Sequence, residues 1–368
     1  MAYQNVGTPR FFIDNYQYLR MLGLSPNEYI GDVVDSESQR HKNTLYNPSA
    51  YTLDPIRAKT FVNQDNASIM RFHIPMGDQV INMNFSENMK WYTAILNHNF
   101  GSKGINLQNS MFMDNIGSTA DNFDADGNPT TIMNLESGGL CSDGTSIFYT
   151  DNLPSDENRK YTGFQITTFD NSPISDVNIG AISQGVMYTM PKTPNLKLTM
   201  VIENDGYKST ATLGGSTLTN ITYTGAPNWV NGGKYMNQFG VGEYYDNSYL
   251  DGAKQNGRKS WSLKFSYISD TDLFSSNYMK GNYTETPTDY DSSDLDANNQ
   301  FEYNMFTDDS FIAQVWNKVY GLPFIFQPDS NNNNPDQFNL CMFDQDSLSI
   351  NSVAYKTYDI SVRIVQVW

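Results

Sequence analysis

Strict alternation of apolar and polar side chains is the sequence feature that most constrains the fold. Residues 260–267 alternate between three serines and a lysine on one side and four apolar residues on the other: Trp261, Leu263, Phe265 and Tyr267. Because successive side chains of a strand point to opposite faces, this spacing predicts a strand with one buried face. We expect all four apolar residues to lie on that face.

Two further runs repeat the alternation and predict half-buried strands. In 196–202 every second residue from Leu196 to Ile202 is apolar, and in 357–368 the same holds from Tyr358 to Ile364. Shorter apolar runs bounded by turn residues predict more strands, at 10–13, 68–74, 79–83, 91–96, 161–169 and 179–188.

One segment has clear helical spacing. Apolar side chains recur every three or four residues in 309–320, at Phe311, Ile312, Val315, Trp316 and Val319. The residues at its start carry capping oxygens, while Gly321 and Pro323 lie where a helix ends. A helix is therefore predicted over 309–320, and weaker spacing suggests another at 16–22.

The composition supports an all-β fold with few helices. Charged residues make up 17% of the chain, against a usual share of about 25%. Asn, Ser, Thr, Gly and 24 tyrosines take their place, and aromatic residues reach 14%. Ser, Asn and Gly weaken helix interiors, whereas Tyr, Phe and Thr fit a pleated surface.

Changes in composition and in apolar patterning along the 368 residues predict three structural regions. Residues 1–47 form an N-terminal arm, 48–188 a β-sandwich, and 189–368 a sheet domain that carries the helix 309–320. An acidic stretch at 284–303 lies inside the last part and is expected to be a solvated loop.

The net charge of −17 excludes several classes of partner. Because such an acidic surface repels phosphate groups and anionic lipids, we expect neither nucleic-acid binding nor membrane attachment. No apolar run approaches the roughly 18 residues that cross a bilayer. The first ten residues lack the features of a signal peptide, which predicts synthesis in a cytoplasm without export.

Signatures of catalysis and of metal binding are weak. The three histidines, His41, His73 and His98, have no metal-binding spacing, and phosphate-binding, dinucleotide and nucleophile-elbow motifs are missing. His98 ends an apolar run and is interpreted as a hydrogen-bonded turn residue rather than a ligand or base. Cys141 and Cys341 are interpreted as buried free thiols.

An Asx-rich loop at 124–128 resembles the opening of a calcium-binding loop. The EF-hand pattern fails, because the sixth and twelfth positions hold Pro129 and Leu135 instead of Gly and Glu. An ordinary turn is the default, with a different kind of calcium site as the alternative. We therefore predict no catalytic residue, no metal and no cofactor. A glycosidase carboxylate pair stays open, because it requires only proximity in space.

The C-terminal half resembles a known family. The run 258–274 (RKSWSLKFSYISDTDLF) looks like the long sheet strand of tail-tip proteins from long-tailed bacteriophages. It is followed by the 309–320 helix, then by 322–329 (LPFIFQPD), then by a closing strand that ends in Trp368. That order is similar to the belt domain of the distal tail (Dit-like) family, over about residues 190–368.

A second resemblance covers roughly 48–188. The run 89–101 (MKWYTAILNHNFG) looks like a strand end of discoidin-like (galactose-binding-like) sandwiches in viral structural proteins. Here Asn97 replaces the usual Gly, and Phe100 replaces the usual Leu. Such sandwiches hold structural calcium or bind carbohydrate at their loops, but no binding residue of theirs maps onto a position of this chain.

Together the resemblances imply a virion structural protein of the phage tail, assembled in the host cytoplasm. The Dit-like family forms closed rings, usually hexamers, between the tail tube protein and the hub or fibre proteins. Seven residues are then expected in the oligomer interface or the core: Trp261, Leu263, Phe265, Trp316, Phe324, Phe326 and Trp368. The expected partners are further copies of the chain, the tail tube, the hub or fibres, and host surface glycans.

Alternative functions stay open at this point. The chain is alternatively a carbohydrate- or receptor-binding module of the same particle, or another structural protein such as a capsid decoration or tail-tube subunit. A cell-encoded hydrolase is the remaining alternative, and it lacks a recognisable catalytic motif.

Overall fold

The structure is a computed structural model of the chain. It describes residues 7–21, 32–34, 40–42, 59–61, 69–75, 89–113, 130–133, 144–150, 161–168, 170, 172–174, 177–196, 198–203, 207–221, 258–274, 309–319, 321–333 and 337–367. Several predictions fall outside these residues: the strand at 79–83, the loop at 124–128, the acidic stretch 284–303, Cys141 and Trp368.

The described elements are mostly strands, which confirms the all-β class. The strands are β1 (Arg10–Asp14), β2 (Asp32–Val34), β3 (Arg40–Lys42), β4 (Lys59–Phe61), β5 (Ile69–Pro75), β6 (Met89–His98), β7 (Ile105–Met113), β8 (Thr130–Met133), β9 (Gly144–Thr150), β10 (Tyr161–Thr168), β11 (Val177–Ile179), β12 (Ala181–Thr189), β13 (Thr199–Glu203), β14 (Tyr207–Ala211), β15 (Thr217–Ile221), β16 (Arg258–Ser269), β17 (Phe324–Gln327), β18 (Asn339–Phe343), β19 (Ile350–Ala354) and β20 (Thr357–Gln366). The helices are α1 (Asn15–Met21), α2 (Asp270–Leu273) and α3 (Asn317–Val319), the last preceded by a π-helical turn at Ile312–Trp316.

One large antiparallel sheet runs through most of the described chain. Its strand order is β13-β16-β20-β18-β17-β1-β12-β6-β9-β8, with β19 paired to β20. Smaller sheets are formed by β5-β10-β7, β11-β4, β14-β15 and β2-β3. The large sheet contains strands from all three predicted parts of the sequence, so the positions 47 and 188 do not separate one sheet from another.

Strand β1 from the predicted arm lies in the middle of this sheet. It pairs with β12 on one side and with β17 on the other, so it joins the two halves of the chain. Gly185 of β12 lies opposite Asp14, where β1 turns into α1, and a Cβ at Gly185 would collide with the carbonyl oxygen of Ile13. Only glycine allows this close approach of the two backbones.

The centre of the sheet is buried on both faces. Alternate residues of β1 enter two different apolar clusters: Phe11 and Ile13 the larger one, Phe12 the smaller one. Strand β6 likewise sends Trp91 to the first cluster and Tyr92 to the second, and both side chains are fully buried. A near-continuous apolar run is what a strand covered on both sides requires, which confirms the predicted character of 91–96.

The three strands with alternating sequence are neighbours in the sheet. Strand β13 pairs with β16, and β16 pairs with β20. On β16, Trp261, Leu263 and Phe265 are buried as predicted, and the outward-facing Ser262 is exposed. On β20, alternate residues from Ile360 to Ile364 are buried, which confirms that strand.

Two details of the alternation prediction are wrong. Tyr267 does not share the buried face of β16, since a bulge between Phe265 and Ile268 shifts the register and buries Ile268 instead. Strand β13 is not half-buried: it is the terminal strand of the sheet and all five of its residues are exposed. Periodicity shows which residues share a face, but not whether anything covers that face.

The predicted 309–320 helix exists in a modified form. The backbone N–H of Asn317 donates to the carbonyl of Ile312, five residues earlier, which is the π-helical pattern. The Ser310 hydroxyl accepts from Ala313 N at 3.3 Å, and Gly321 has a φ of +73°, so the start and stop signals are confirmed. A continuous α-helix over 309–320 is wrong, because the widened turn occupies its middle.

The packing of this segment agrees with the prediction. Phe311 and Val315 are fully buried and Trp316 is partly buried against the main cluster. The Phe311 ring lies 5.9 Å from the Phe11 ring, in an edge-to-face arrangement that aromatic pairs favour. The segment therefore covers the larger cluster over the central strand.

Candidate interaction surface

The described residues contain no grouping of side chains with the geometry of a metal centre. His98 is the histidine whose side chain can be assessed. Its Nε2 lies 2.8 Å from Ser146 Oγ, and its Nδ1 accepts from Phe100 N at 3.3 Å, so Nε2 carries the proton. Burial lowers the pKa of His98 to about 3, so it is neutral at physiological pH. This confirms a hydrogen-bonded residue at a strand end.

Cys341 is a buried free thiol, as predicted. Burial raises its pKa well above the ordinary value, so it does not form the reactive thiolate at neutral pH.

In the described part of the chain, no helix has both the length and the apolar character needed to cross a bilayer.

The seven predicted site residues divide into an inner set and two others. Five are buried in the larger cluster: Trp261, Leu263, Phe265, Phe324 and Phe326. Trp316 is partly buried, with its ring 5.2 Å from that of Phe343, and Trp368 lies outside the described residues. The structure brings Trp261 and Phe326 together, at 5.4 Å between ring centroids. Within one copy, the five buried residues hold the sheet and its helical segment together.

The surface available for contact is therefore the opposite face of the same strands. We call it the ribbon surface and define it by the exposed residues of β13, β16 and β20 on the face of Ser262, together with Tyr267, which the bulge turns outward: Thr199, Val201, Glu203, Ser262, Lys264, Tyr267, Ser361 and Arg363. A sheet with one packed face and one solvated face is common among antiparallel sheets. The buried residues of β16 and β20 were predicted from the sequence, whereas this exposed set was not.

A cluster of hydrogen-bonded polar groups lies at the bulge in β16. The Asp359 carboxylate accepts from Tyr267 N at 3.2 Å through Oδ1, and the Lys264 ammonium is 3.1 Å from Oδ2. Burial alone would raise the pKa of Asp359, but hydrogen bonds from Lys264, Tyr267 N and Ser266 outweigh it and hold that pKa below its ordinary value. The carboxylate is thus kept charged where it fixes the strand.

The same bulge turns Tyr267 outward. Its φ is +60°, a left-handed conformation that is rare for a bulky side chain, and the residue is 69% exposed. Bulges re-aim side chains at sheet edges and near functional sites. Nearby, Asn195 Nδ2 donates to Ser266 Oγ at 2.8 Å, which ties the preceding loop to the bulge.

The ribbon surface also carries ion pairs of modest energy. Arg363 on β20 contacts Asp344 at 2.8 Å, with both side chains largely exposed. Exposed pairs such as this contribute about 0–1 kcal/mol. They set the charge pattern of the surface rather than the stability of the fold.

Comparison of the chain with protein-family models, curated proteins and solved structures finds no match. The described part of the chain is that of an all-β protein with few helices.

Proposed function

We propose that this chain is a structural protein of the phage tail tip, whose copies form a closed ring joining the tail tube to the hub or fibres. In this proposal the C-terminal half is a Dit-like belt and the region 48–188 is a discoidin-like sandwich that faces outward. The ring is a hexamer, as is usual in the family that the sequence resembles.

One observation carries the proposal. The three alternating strands β13, β16 and β20 are consecutive in one sheet. Strands β16 and β20 bury one apolar face, and β13 and the outward face of all three strands are exposed. Contacts between different surfaces of neighbouring copies close into a ring when the rotation between copies allows it. Sheet edges that pair between copies are also protected from uncontrolled association.

The mass of the assembly tests the proposal. Native mass spectrometry or analytical ultracentrifugation should give three-fold or six-fold multiples of 41.6 kDa. A low-resolution image of the particle should locate the chain at the end of the tail. A monomer at all concentrations, or a position far from the tail, would contradict the proposal.

A matched pair of variants makes the test specific to the ribbon surface. Ser262→Arg adds a bulky charge on the exposed face of β16 and should prevent assembly without changing thermal unfolding. Ser102→Arg makes the same change in the exposed turn after β6 and should assemble normally. Equal behaviour of the two variants would show that the ribbon surface is not the contact.

A carbohydrate- or receptor-binding module is the second candidate, favoured by exposed tyrosines. Tyr267 is 69% exposed and Tyr355, in the turn between β19 and β20, is 88% exposed. Exposed aromatic rings provide stacking surfaces for sugars. A monomer whose unfolding temperature rises with host glycans, and does not rise in Tyr355→Ala, would favour this function over the ring.

A further inference from the structure

The terminal strand β13 has an open edge. Among the described strands it pairs with β16 alone, in a regular register from Thr199 opposite Ser262 to Glu203 opposite Arg258. The other edge of an antiparallel strand presents backbone N–H and C=O groups that no described strand receives. Val201 is 46% exposed and Ile202 is 52% exposed.

The usual means of protecting an edge are missing from β13. Natural edge strands carry inward-pointing charges, proline or bulges that prevent pairing with another chain. Strand β13 has neither proline nor bulge, and its central residues Met200, Val201 and Ile202 are all apolar. Glu203, its one charged residue, is at the end. An exposed apolar edge of this kind is a template for another strand.

We infer that β13 pairs with β13 of a second copy of this chain, antiparallel and centred on Val201. This register places Val201 opposite Val201 of the second copy, and Met200 opposite Ile202 on both sides of the centre. Apolar residues therefore meet apolar residues across the new pair, which is a favourable cross-strand arrangement.

Charge selects the antiparallel direction. In the antiparallel register the carboxylate of Glu203 faces Thr199 of the second copy. A parallel, in-register pair would bring two Glu203 carboxylates side by side, and like charges on adjacent strands are destabilising. The sequence of β13 is thus complementary to itself in one direction only.

The inferred contact goes beyond the proposed ring and does not depend on it. Identical surfaces meet, so the contact closes after two copies and has two-fold symmetry. Five residues a side bury less than the roughly 1,000 Å² typical of stable interfaces, so the dimer should be weak and concentration-dependent.

Cysteine cross-linking tests the register directly. Directly opposed residues of antiparallel strands have Cα atoms about 4.5–5.5 Å apart, within the roughly 4.4–6.8 Å that a disulfide spans. Under mild oxidation Val201→Cys should therefore give a covalent dimer. Mass spectrometry of the linked peptides distinguishes a bond between the two introduced thiols from any bond made by Cys141.

Thr199→Cys is the matched control. In the same register the two cysteines introduced at position 199 would be separated by four residues along the strand, about 13 Å, and no disulfide should form. A mixture of Thr199→Cys with Glu203→Cys should cross-link again, because these positions face each other. Cross-linking of Thr199→Cys alone at the rate of Val201→Cys would overturn the inference.

A charge variant provides an independent measurement. Val201→Lys places two ammonium groups opposite each other and should weaken the dimer at least tenfold in sedimentation equilibrium, with unchanged thermal unfolding. Unchanged association in this variant would overturn the inference. Intact rings of Val201→Cys that form no disulfide at the introduced thiol would also overturn it, while leaving the proposed function standing.

Discussion

The ammonium group of Lys264 lies 3.1 Å from the Oδ2 atom of Asp359, across the pair of strands that carries the β16 bulge. The other carboxylate oxygen accepts from the backbone N–H of Tyr267 at 3.2 Å. One carboxylate thus accepts a hydrogen bond from the backbone N–H that the bulge leaves unpaired in the ladder, and it also pairs with the charge of Lys264. This arrangement explains how β16 interrupts its alternation and still continues as a strand.

Asp359→Ala should lower the midpoint of thermal unfolding by more than Lys264→Met. The first variant leaves the Tyr267 N–H without its acceptor, whereas the second removes only an exposed partner. Because the folded pKa of Asp359 is lowered, its stabilisation is present above the unfolded carboxyl pKa of about 3.9 and is lost as the pH falls through the folded pKa. Unfolding midpoints measured from pH 7 downward check this, and a difference between wild type and Asp359→Ala that does not shrink as the pH falls would contradict it.

Tyr267→Gly should stabilise the fold by about 1 kcal/mol, although glycine normally weakens a strand. Tyr267 holds a φ of +60°, which costs a residue with a Cβ about 1–2 kcal/mol and costs glycine almost nothing. Its exposed ring gives little burial in return. The control Ser262→Gly, on the same strand but with regular pairing, should instead lose about 0.5–1 kcal/mol. Urea unfolding compares the two, and a loss of stability in both would show that the Tyr267 side chain makes a stabilising contact.

Much of the fold could be predicted from the sequence, because it depends on local periodicity. The alternation in β16 and β20 identified which residues are buried, and Gly321 marked the end of the helical segment. The bulge could not be predicted in this way. Its residues Ser266 and Tyr267 include neither glycine nor asparagine, and the acceptor Asp359 is distant in sequence.

The long-range arrangement was also beyond local patterns. Strand β1 has five residues and pairs with β17, more than 300 positions away. Its central position requires a tight backbone approach at Gly185, which a sequence pattern does not show. The exposure of β13 has the same origin, since it depends on which strand ends the sheet. The exposed ribbon surface was therefore missed, while the buried residues of β16 and β20 were identified.

Lys318 should make the stability of the protein rise with pH above neutrality. Its side chain is fully buried and donates to Gln314 Oε1 at 2.6 Å, and burial lowers its pKa from 10.5 to about 7. Between these values the unfolded chain binds a proton that the folded chain does not bind, so the free energy of unfolding increases with pH. The full effect is at most about 4–5 kcal/mol.

Lys318→Met should remove this pH dependence and should be most stabilising, relative to wild type, near pH 6. A neutral thioether of similar length replaces a group that is charged and buried at that pH. Lys192→Met, at an exposed position, serves as the control and should leave the wild-type curve unchanged. Free energies of unfolding at pH 6, 8 and 10 decide the matter. Parallel curves for Lys318→Met and wild type would contradict the assignment.

Removal of 365–368 should prevent assembly or make the protein insoluble. Val365 lies opposite Ser260 of β16 and Met342 of β18, so the truncation opens both neighbours of β20 at once. The Gln366 side chain, fully buried, accepts from Lys259 N at 3.0 Å, and Val367 N donates to Leu340 O at 2.9 Å. Val365 and Val367 are partly buried, so their loss costs less than the roughly 1.5–3 kcal/mol of a fully buried large apolar side chain.

Because the truncated chain can fail by misfolding alone, Gln366→Ala separates the effects. It keeps the backbone of β20 and leaves Lys259 N and Asn339 Oδ1 without their side-chain partner, so it should reduce stability while the chain stays soluble. Arg363→Ala, on the exposed face of the same strand, is the control and should change stability little. Solubility, unfolding midpoint and assembly mass are measured for all three. Normal assembly of the truncated chain would show that the sheet does not need the end of β20. The proposed role of β20 in the ring would then be wrong.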